Sequence, residues 1–207
     1  MRTITTIEVE KGRKDRVKIL LDGAFAFSLG AEVAVEQGLH VGQALSDPQI
    51  EELGKANLLQ RCLNAALRFL SYRPRSEAEI RMRLRRGFDQ KTIDRVILQL
   101  KARRLIDDVA FARFWIENRE SFSPRSERML TLELKRKGIA VEVIDEVLEG
   151  SDEDGAAYRS AHKRARSLSQ EDHDAFRRKL GTFLRRRGFS HEVANHAVER
   201  LWRDATG

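Results

Sequence analysis

The chain has a single cysteine in 207 residues, Cys62, which excludes an internal disulfide and any site built from several thiolates. Its neighbours Leu59, Leu63, Ala66 and Leu67 put it on an apolar helical face, as a buried structural thiol. Prolines are scarce too: there are three, Pro48, Pro74 and Pro124, each just ahead of or at the start of a helical pattern. No stretch approaches the roughly 18 apolar residues that a membrane span requires. The opening MRTITTIEVEKGRKDR holds no apolar stretch of the secretory kind, so a cytoplasmic protein without membrane contact is expected. Signatures of catalysis are missing as well, with no Walker Gly-Lys-Ser/Thr, no Gly-x-Ser-x-Gly and no dinucleotide glycine pattern. His191 and His196 stand five residues apart, about 140° around a helix of roughly 3.6 residues per turn, so they do not share the face that zinc ligation needs. No catalytic residue, metal or cofactor is expected.

What the chain does have is a repeat. Ile80, Leu84, Arg85 and Arg86 return fifty residues later as Leu130, Leu134, Lys135 and Arg136, and again as Leu180, Leu184, Arg185 and Arg186. Self-similarity at a fixed period marks stacked units whose function lies on an extended surface. In the first copy Leu59, Leu63, Ala66, Leu67 and Leu70 mark one helix, which breaks at Pro74-Arg75-Ser76. Ser76 and Glu79 have capping-box spacing and start a second helix, with Ile80 and Leu84 inward and a stop at Gly87; Phe88 then enters the core. Ile93, Val96, Ile97 and Leu100 define a third helix.

The second copy has Phe111, Phe114 and Trp115, a break at Pro124-Arg125-Ser126, and its glycine, Gly138, one residue later relative to the leucines than Gly87. The third has Tyr158, Ala161, Ala165 and Leu168, then Phe176, then Gly188-Phe189 and a final helix ending near Trp202, but no Pro-Arg-Ser turn. The acidic run between Gly150 and Gly155 reads as a flexible junction.

The first thirty residues have strand periodicity. Ile7 and Val9 alternate with polar residues, as do Val17, Ile19 and Leu21, and Phe25, Phe27 and Leu29 follow Asp22-Gly23, a strong hairpin signal. A short helix from Ala31 to Gln37 should end at Gly38, and Ser46-Asp47-Pro48-Gln49 has capping-box spacing. The fold class expected is mainly α, three tandem three-helix repeats after a small β-hairpin-containing region, with divisions at 1–56, 57–106, 107–151 and 152–207.

The formal net charge is +7, yet residues 1–57 carry seven Lys/Arg against nine Asp/Glu, which leaves +9 on the repeats. Such a region suits polyanions or acidic protein surfaces. With Leu84, Leu134 and Leu184 inward, the next two positions turn by about 100° and 200° and face outward. All six are basic: Arg85, Lys135 and Arg185, then Arg86, Arg136 and Arg186. Arg128 and Arg178 extend the row at equivalent outward positions. These eight form a candidate contact track, which would be sequence-tolerant toward nucleic acid. Cations near a helix carboxyl end also favour the macrodipole, so helix stabilisation is the competing explanation. Asp107 and Asp108, just ahead of a helix, suit capping better than catalysis. Phe111, Phe114 and Trp115 suit a core better than base stacking.

Leu105-Ile106-Asp107-Asp108 followed by Phe111-Ala112-Arg113 and Trp115, two Pro-Arg-Ser-Glu turns, and Gly-Phe or Gly-Ile followed by Ile-Asp closely resemble the RecX family, bacterial regulators of the RecA recombinase. The likeness covers about residues 58–205. Ile7-Glu8-Val9, Leu21-Asp22-Gly23, Gly38-Leu39 and Gly42-Gln43 are similar to the amino-terminal region of longer members. The resemblance implies an elongated, curved solenoid that binds in the groove of the RecA nucleoprotein filament; a monomer is expected. It implies inhibition of ATP hydrolysis, strand exchange and filament growth, and so modulation of recombination and DNA repair, with no catalysis of its own. Two rivals are a helix-turn-helix-like regulator acting on single- or double-stranded DNA directly, for which Gln90, Arg95 and Gln99 are the available base readers, and a pure protein scaffold.

Overall fold

β1 (Arg2–Glu10), β2 (Arg13–Leu21) and β3 (Ala24–Gly30) form an antiparallel meander. Asp22 and Gly23, at φ 51° and 82°, make the two-residue turn between β2 and β3 that this dipeptide predicts. The computed structural model describes residues 1–168 and 172–206, so Gly207, the end of the third expected division, lies outside the described residues. α1 (Ala31–Glu36) follows, and β4 (Ala44–Leu45) pairs with β1 to give the sheet order β3-β2-β1-β4.

A bulge breaks the alternation of β1. Ile4 pairs with Leu21 while Thr6 pairs with Leu20, which leaves Thr5 as an extra residue. The Thr5 hydroxyl donates to the Leu20 carbonyl and accepts from the Gly23 N–H. Ile4 is fully buried and Val9 is 62% exposed, whereas period-two reading marks Ile7 and Val9.

α2 (Asp47–Leu70) begins with the expected capping box: the Gln49 N–H donates to Ser46 Oγ and the Ser46 N–H to Gln49 Oε1. It then runs unbroken for 24 residues, so the expected division at 56/57 falls inside a helix. Its second half, α3 (Glu77–Leu84) and α4 (Gln90–Ala102) form the first repeat. α5 (Asp108–Phe122), α6 (Glu127–Arg136) and α7 (Val141–Leu148) form the second. The third consists of α8 (Glu153–Arg166), α9 (His173–Arg186) and α10 (His191–Thr206), the last running past Trp202. Ile80, Leu84, Leu130, Leu134, Leu180 and Leu184 are all buried, as their spacing requires. Phe88 is only half-buried, while Ile139 and Phe189, which follow the corresponding glycines, are 4% and 3% exposed.

The chain divides into two compact units. One holds Met1–Arg73 and Ile80–Leu105; the other holds Pro74–Glu79 and Ile106–Gly207. The short segment Pro74–Glu79 joins the second unit through specific bonds. Ser76 is fully buried; its hydroxyl accepts from the Glu79 N–H and donates to the Lys137 carbonyl at 2.6 Å. Asp108, the first residue of α5, accepts from the Glu77 N–H at 2.9 Å, and Lys137 Nζ pairs with Glu79 at 2.8 Å. Fifty residues on, the pattern returns. Ser126 is fully buried, its N–H donates to the Arg187 carbonyl, and Glu153, the first residue of α8, accepts from the Glu127 N–H at 3.2 Å. The Pro-Arg-Ser turns therefore hold the carboxyl end of the next copy's middle helix.

The offset of the glycines has a structural basis. Gly138 and Gly188 adopt φ of 76° and 92°, and the following N–H reaches back five residues, Ile139 to the Leu134 carbonyl and Phe189 to that of Leu184. Gly87 is not left-handed, and the Phe88 N–H reaches back only four residues, to Leu84. The extra residues, Lys137 and Arg187, supply the carbonyls that the buried serines engage.

The Gly150–Gly155 run, read as a flexible junction, is tied down by its own acids. Asp152 caps α8 through the Gly155 N–H, and the Ser151 hydroxyl bonds to Glu127. Burial pushes the Glu153 carboxyl above its ordinary value; the Glu127 N–H opposes this, and the charges of Glu127 and Asp154 add to it. The folded state thus holds a proton on Glu153 more tightly than the unfolded chain does, and stability falls as pH rises through the region above the ordinary carboxylate value. Glu153→Gln keeps the amide acceptor and removes the charge. Urea midpoints measured from pH 4 upward should converge with those of the unmodified protein at the acid end, and the variant should be the more stable by neutral pH.

Candidate functional site

All eight residues of the candidate track are exposed: Arg85, Arg86, Arg128, Lys135, Arg136, Arg178, Arg185 and Arg186. None takes part in an ion pair among the described residues. Lys135 and Arg136 lie in the last turn of α6, and Arg185 and Arg186 in that of α9, where the macrodipole also favours them. Arg85 and Arg86 sit just past α3, in the turn leading to Gly87. The structure brings Arg178 and Arg185 together on one cleft of about 290 Å³, with Arg177, Asp174 and His191. Arg186 shares α9 with them, Arg128, Lys135 and Arg136 share α6, and Arg85 and Arg86 follow α3.

Neighbouring cations are engaged. Arg81 pairs with Asp94 and, with help from Gln90, holds that carboxyl below its usual range. Arg119 and Arg125 both pair with Glu133, at 2.7 and 3.2 Å, and that carboxylate also accepts from the Trp115 indole N–H at 2.8 Å. Arg119 and Lys137 lie over the Trp115 ring, 4.9 and 4.7 Å from its centre. Trp115 also stacks on the buried Phe111, so both are committed to the second repeat's core and not to bases; Phe114 is half-buried. Sequence reasoning passed over Lys137 and Arg187 because basic residues at an exposed-looking helix end give no sign of the Glu79 carboxylate that Lys137 meets or of the Ser123 hydroxyl and Pro124 carbonyl that Arg187 meets.

Asp107 and Asp108 are caps, but for two different helices. Asp107 accepts from Val109 and Ala110 of its own helix, while Asp108 serves α3 through Glu77. Cys62 is fully buried, and burial pushes its thiol up to about 11, with the Asp89 charge adding, so it is not a nucleophile near neutral pH. His191 lines the α9–α10 cleft whereas His196 faces Asp154 at 3.8 Å, so the two histidines do not converge. Of the base readers considered, Gln90 donates to Asp94 within α4.

Four family models match the chain in order. The RecX N-terminal domain covers residues 2–46, and the first, second and third RecX three-helix domains cover 62–100, 107–148 and 152–198. The chain belongs to the RecX family. The regulatory protein RecX of Clostridium perfringens (strain SM101 / Type A) is 31% identical over 207 residues, 97% of each chain. That of Listeria welshimeri is 32% identical over 200 residues, 94% of this chain and 74% of the other. A crystal structure of regulatory protein RecX aligns with a TM-score of 0.71 at 25% identity, over 99% of this chain and 100% of that one. RecX from Lactobacillus salivarius, at 24% identity, shares the fold with a TM-score of 0.61 over 70% of this chain and 97% of its own. The third copy, which departs most from the repeat pattern, has its own RecX domain model. Among the described residues no helix is long and apolar enough to cross a membrane.

Proposed function

We propose that this protein binds the RecA nucleoprotein filament, in the cytoplasm and as a monomer, and inhibits RecA's ATP hydrolysis, strand exchange and filament growth without catalysing a reaction itself. The observation that carries the proposal is the set of eight repeat-related cations, exposed and outside ion pairs among the described residues, in a chain whose relatives are regulatory proteins. A filament presents the same acidic and phosphate groups at regular intervals, so repeated cations engage several subunits, and multivalency multiplies weak contacts. The test is single-stranded-DNA-dependent ATP hydrolysis by the cognate RecA during titration with this protein, beside a DNA-only binding assay at two salt concentrations. Inhibition well below the concentration that coats the DNA supports action on the filament. Inhibition that tracks DNA coating and disappears with it in salt makes the protein a direct DNA binder.

Reversing Arg85, Lys135 and Arg185 together to Glu is expected to weaken inhibition far more than any single reversal. Normal inhibition by a correctly folded triple variant would reduce the track to helix-end stabilisation, about 0.3–1 kcal/mol for each cation.

A further inference from the structure

Apart from the repeated cations, the second unit holds a cleft of about 610 Å³ between the end of α5, α8 and the end of α9. Arg159, Lys163 and Arg164 reach it from α8, and Arg187 from the turn after α9. Arg159 pairs with Asp152 at 3.4 Å, but no carboxylate pairs with Lys163, Arg164 or Arg187 among the described residues. Arg187 donates through one nitrogen to Ser123 Oγ and the Pro124 carbonyl, and it lies over the Phe183 ring at 4.7 Å, with Arg164 over the same ring at 5.3 Å. Burial, and after it the like charge of Arg125, depress the Arg187 pKa from its ordinary value. The Ser160 hydroxyl on the same wall has no hydrogen-bond partner among the described residues. Phe122, also lining the cleft, is 82% exposed and contributes nothing to the core. Glu120 adds one acid to the wall.

Unpaired cations beside an exposed aromatic ring are the two elements that single-stranded nucleic acid requires, phosphate neutralisation and a base-stacking platform. The volume falls in the range of small-ligand sites, about 300–1,000 Å³. An acidic peptide would use the cations and leave Phe122 unoccupied. We propose that this cleft binds single-stranded nucleic acid, with a base stacked on Phe122 and the backbone phosphate held by Lys163, Arg164 and Arg187. The site deepens the proposed action at a DNA-bearing filament and rests on that reading only for its setting, because the ligand is the strand itself.

The test uses the full chain without RecA and reads the anisotropy of a short labelled oligo-dT strand, with an abasic strand and polyglutamate of equal length as comparison probes. Phe122→Ala is expected to weaken oligo-dT binding about tenfold and to leave the abasic strand unchanged, in line with base–aromatic stacking of about 1–3 kcal/mol. Replacing Lys163 and Arg164 with Ala should weaken both strands and lower the slope of log affinity against log salt by about 0.7 for each phosphate no longer neutralised. Phe122→Trp preserves a platform, and its fluorescence should be quenched by oligo-dT and not by polyglutamate. Unchanged oligo-dT binding by Phe122→Ala, or polyglutamate competing as well as oligo-dT, overturns the proposal. Assaying RecA inhibition by the same variants separates the two readings: loss of strand binding with inhibition intact leaves the filament proposal standing alone.

Discussion

Gly138→Ala is expected to destabilise the second unit by about 2–5 kcal/mol, the sum of a left-handed alanine at about 1–2 kcal/mol and an overpacked contact at about 1–3 kcal/mol. Gly138 has φ 76°, and a Cβ there would overlap the Cβ of Ala78, an atom with no rotamer by which to withdraw. The helix end would have to shift, and with it the Lys137 carbonyl that Ser76 engages. Gly87→Ala, the related position in the first repeat, is expected to change stability by less than about 1 kcal/mol. That glycine is not left-handed, and nothing lies within 4 Å of an added Cβ. Urea midpoints of the two variants, measured side by side, check the contrast. Equal losses would mean that the glycines serve a common role unrelated to helix closure.

Glu133→Ala should cost about 3 kcal/mol, because one carboxylate with 14% side-chain exposure answers Arg119, Arg125 and the Trp115 indole at once. Removing it leaves two half-buried guanidinium groups facing each other's charge and a donor without an acceptor. Glu133→Gln keeps an acceptor and loses the charge, so an intermediate loss is expected. Denaturation followed by circular dichroism reads the stability, and tryptophan fluorescence in a Trp202→Phe background reads the environment of Trp115. A Glu133→Ala protein as stable as the original would mean that water fully replaces the carboxylate.

Much of this fold is legible in the residues because its signals are local. Asp22-Gly23 needs only its own φ angles, the Ser46 box closes over four residues, and the buried leucines of the middle helices follow from spacing alone. What escaped is set by partners distant in sequence. Ile4 turns inward beside a bulge at Thr5, a feature that alternation does not encode. Lys137 and Arg187 look like further members of the basic rows until Ser76, Glu79, Ser123 and Pro124 are found opposite them. The wheel placed the eight track residues outward, and they are exposed; it had no means of showing that Arg81, Arg119 and Arg125 are already taken by carboxylates. Phe122 escaped because an aromatic at the end of an apolar helical stripe reads as core.

The buried serines and left-handed glycines give the array a direction. The Pro-Arg-Ser turn acts as a socket and the carboxyl end of a middle helix, with its extra residue and glycine, as a plug. The first repeat carries a socket and no plug, the second carries both, and the third carries a plug and no socket. The three repeats are therefore not interchangeable: only the middle one carries both halves of the joint among the described residues.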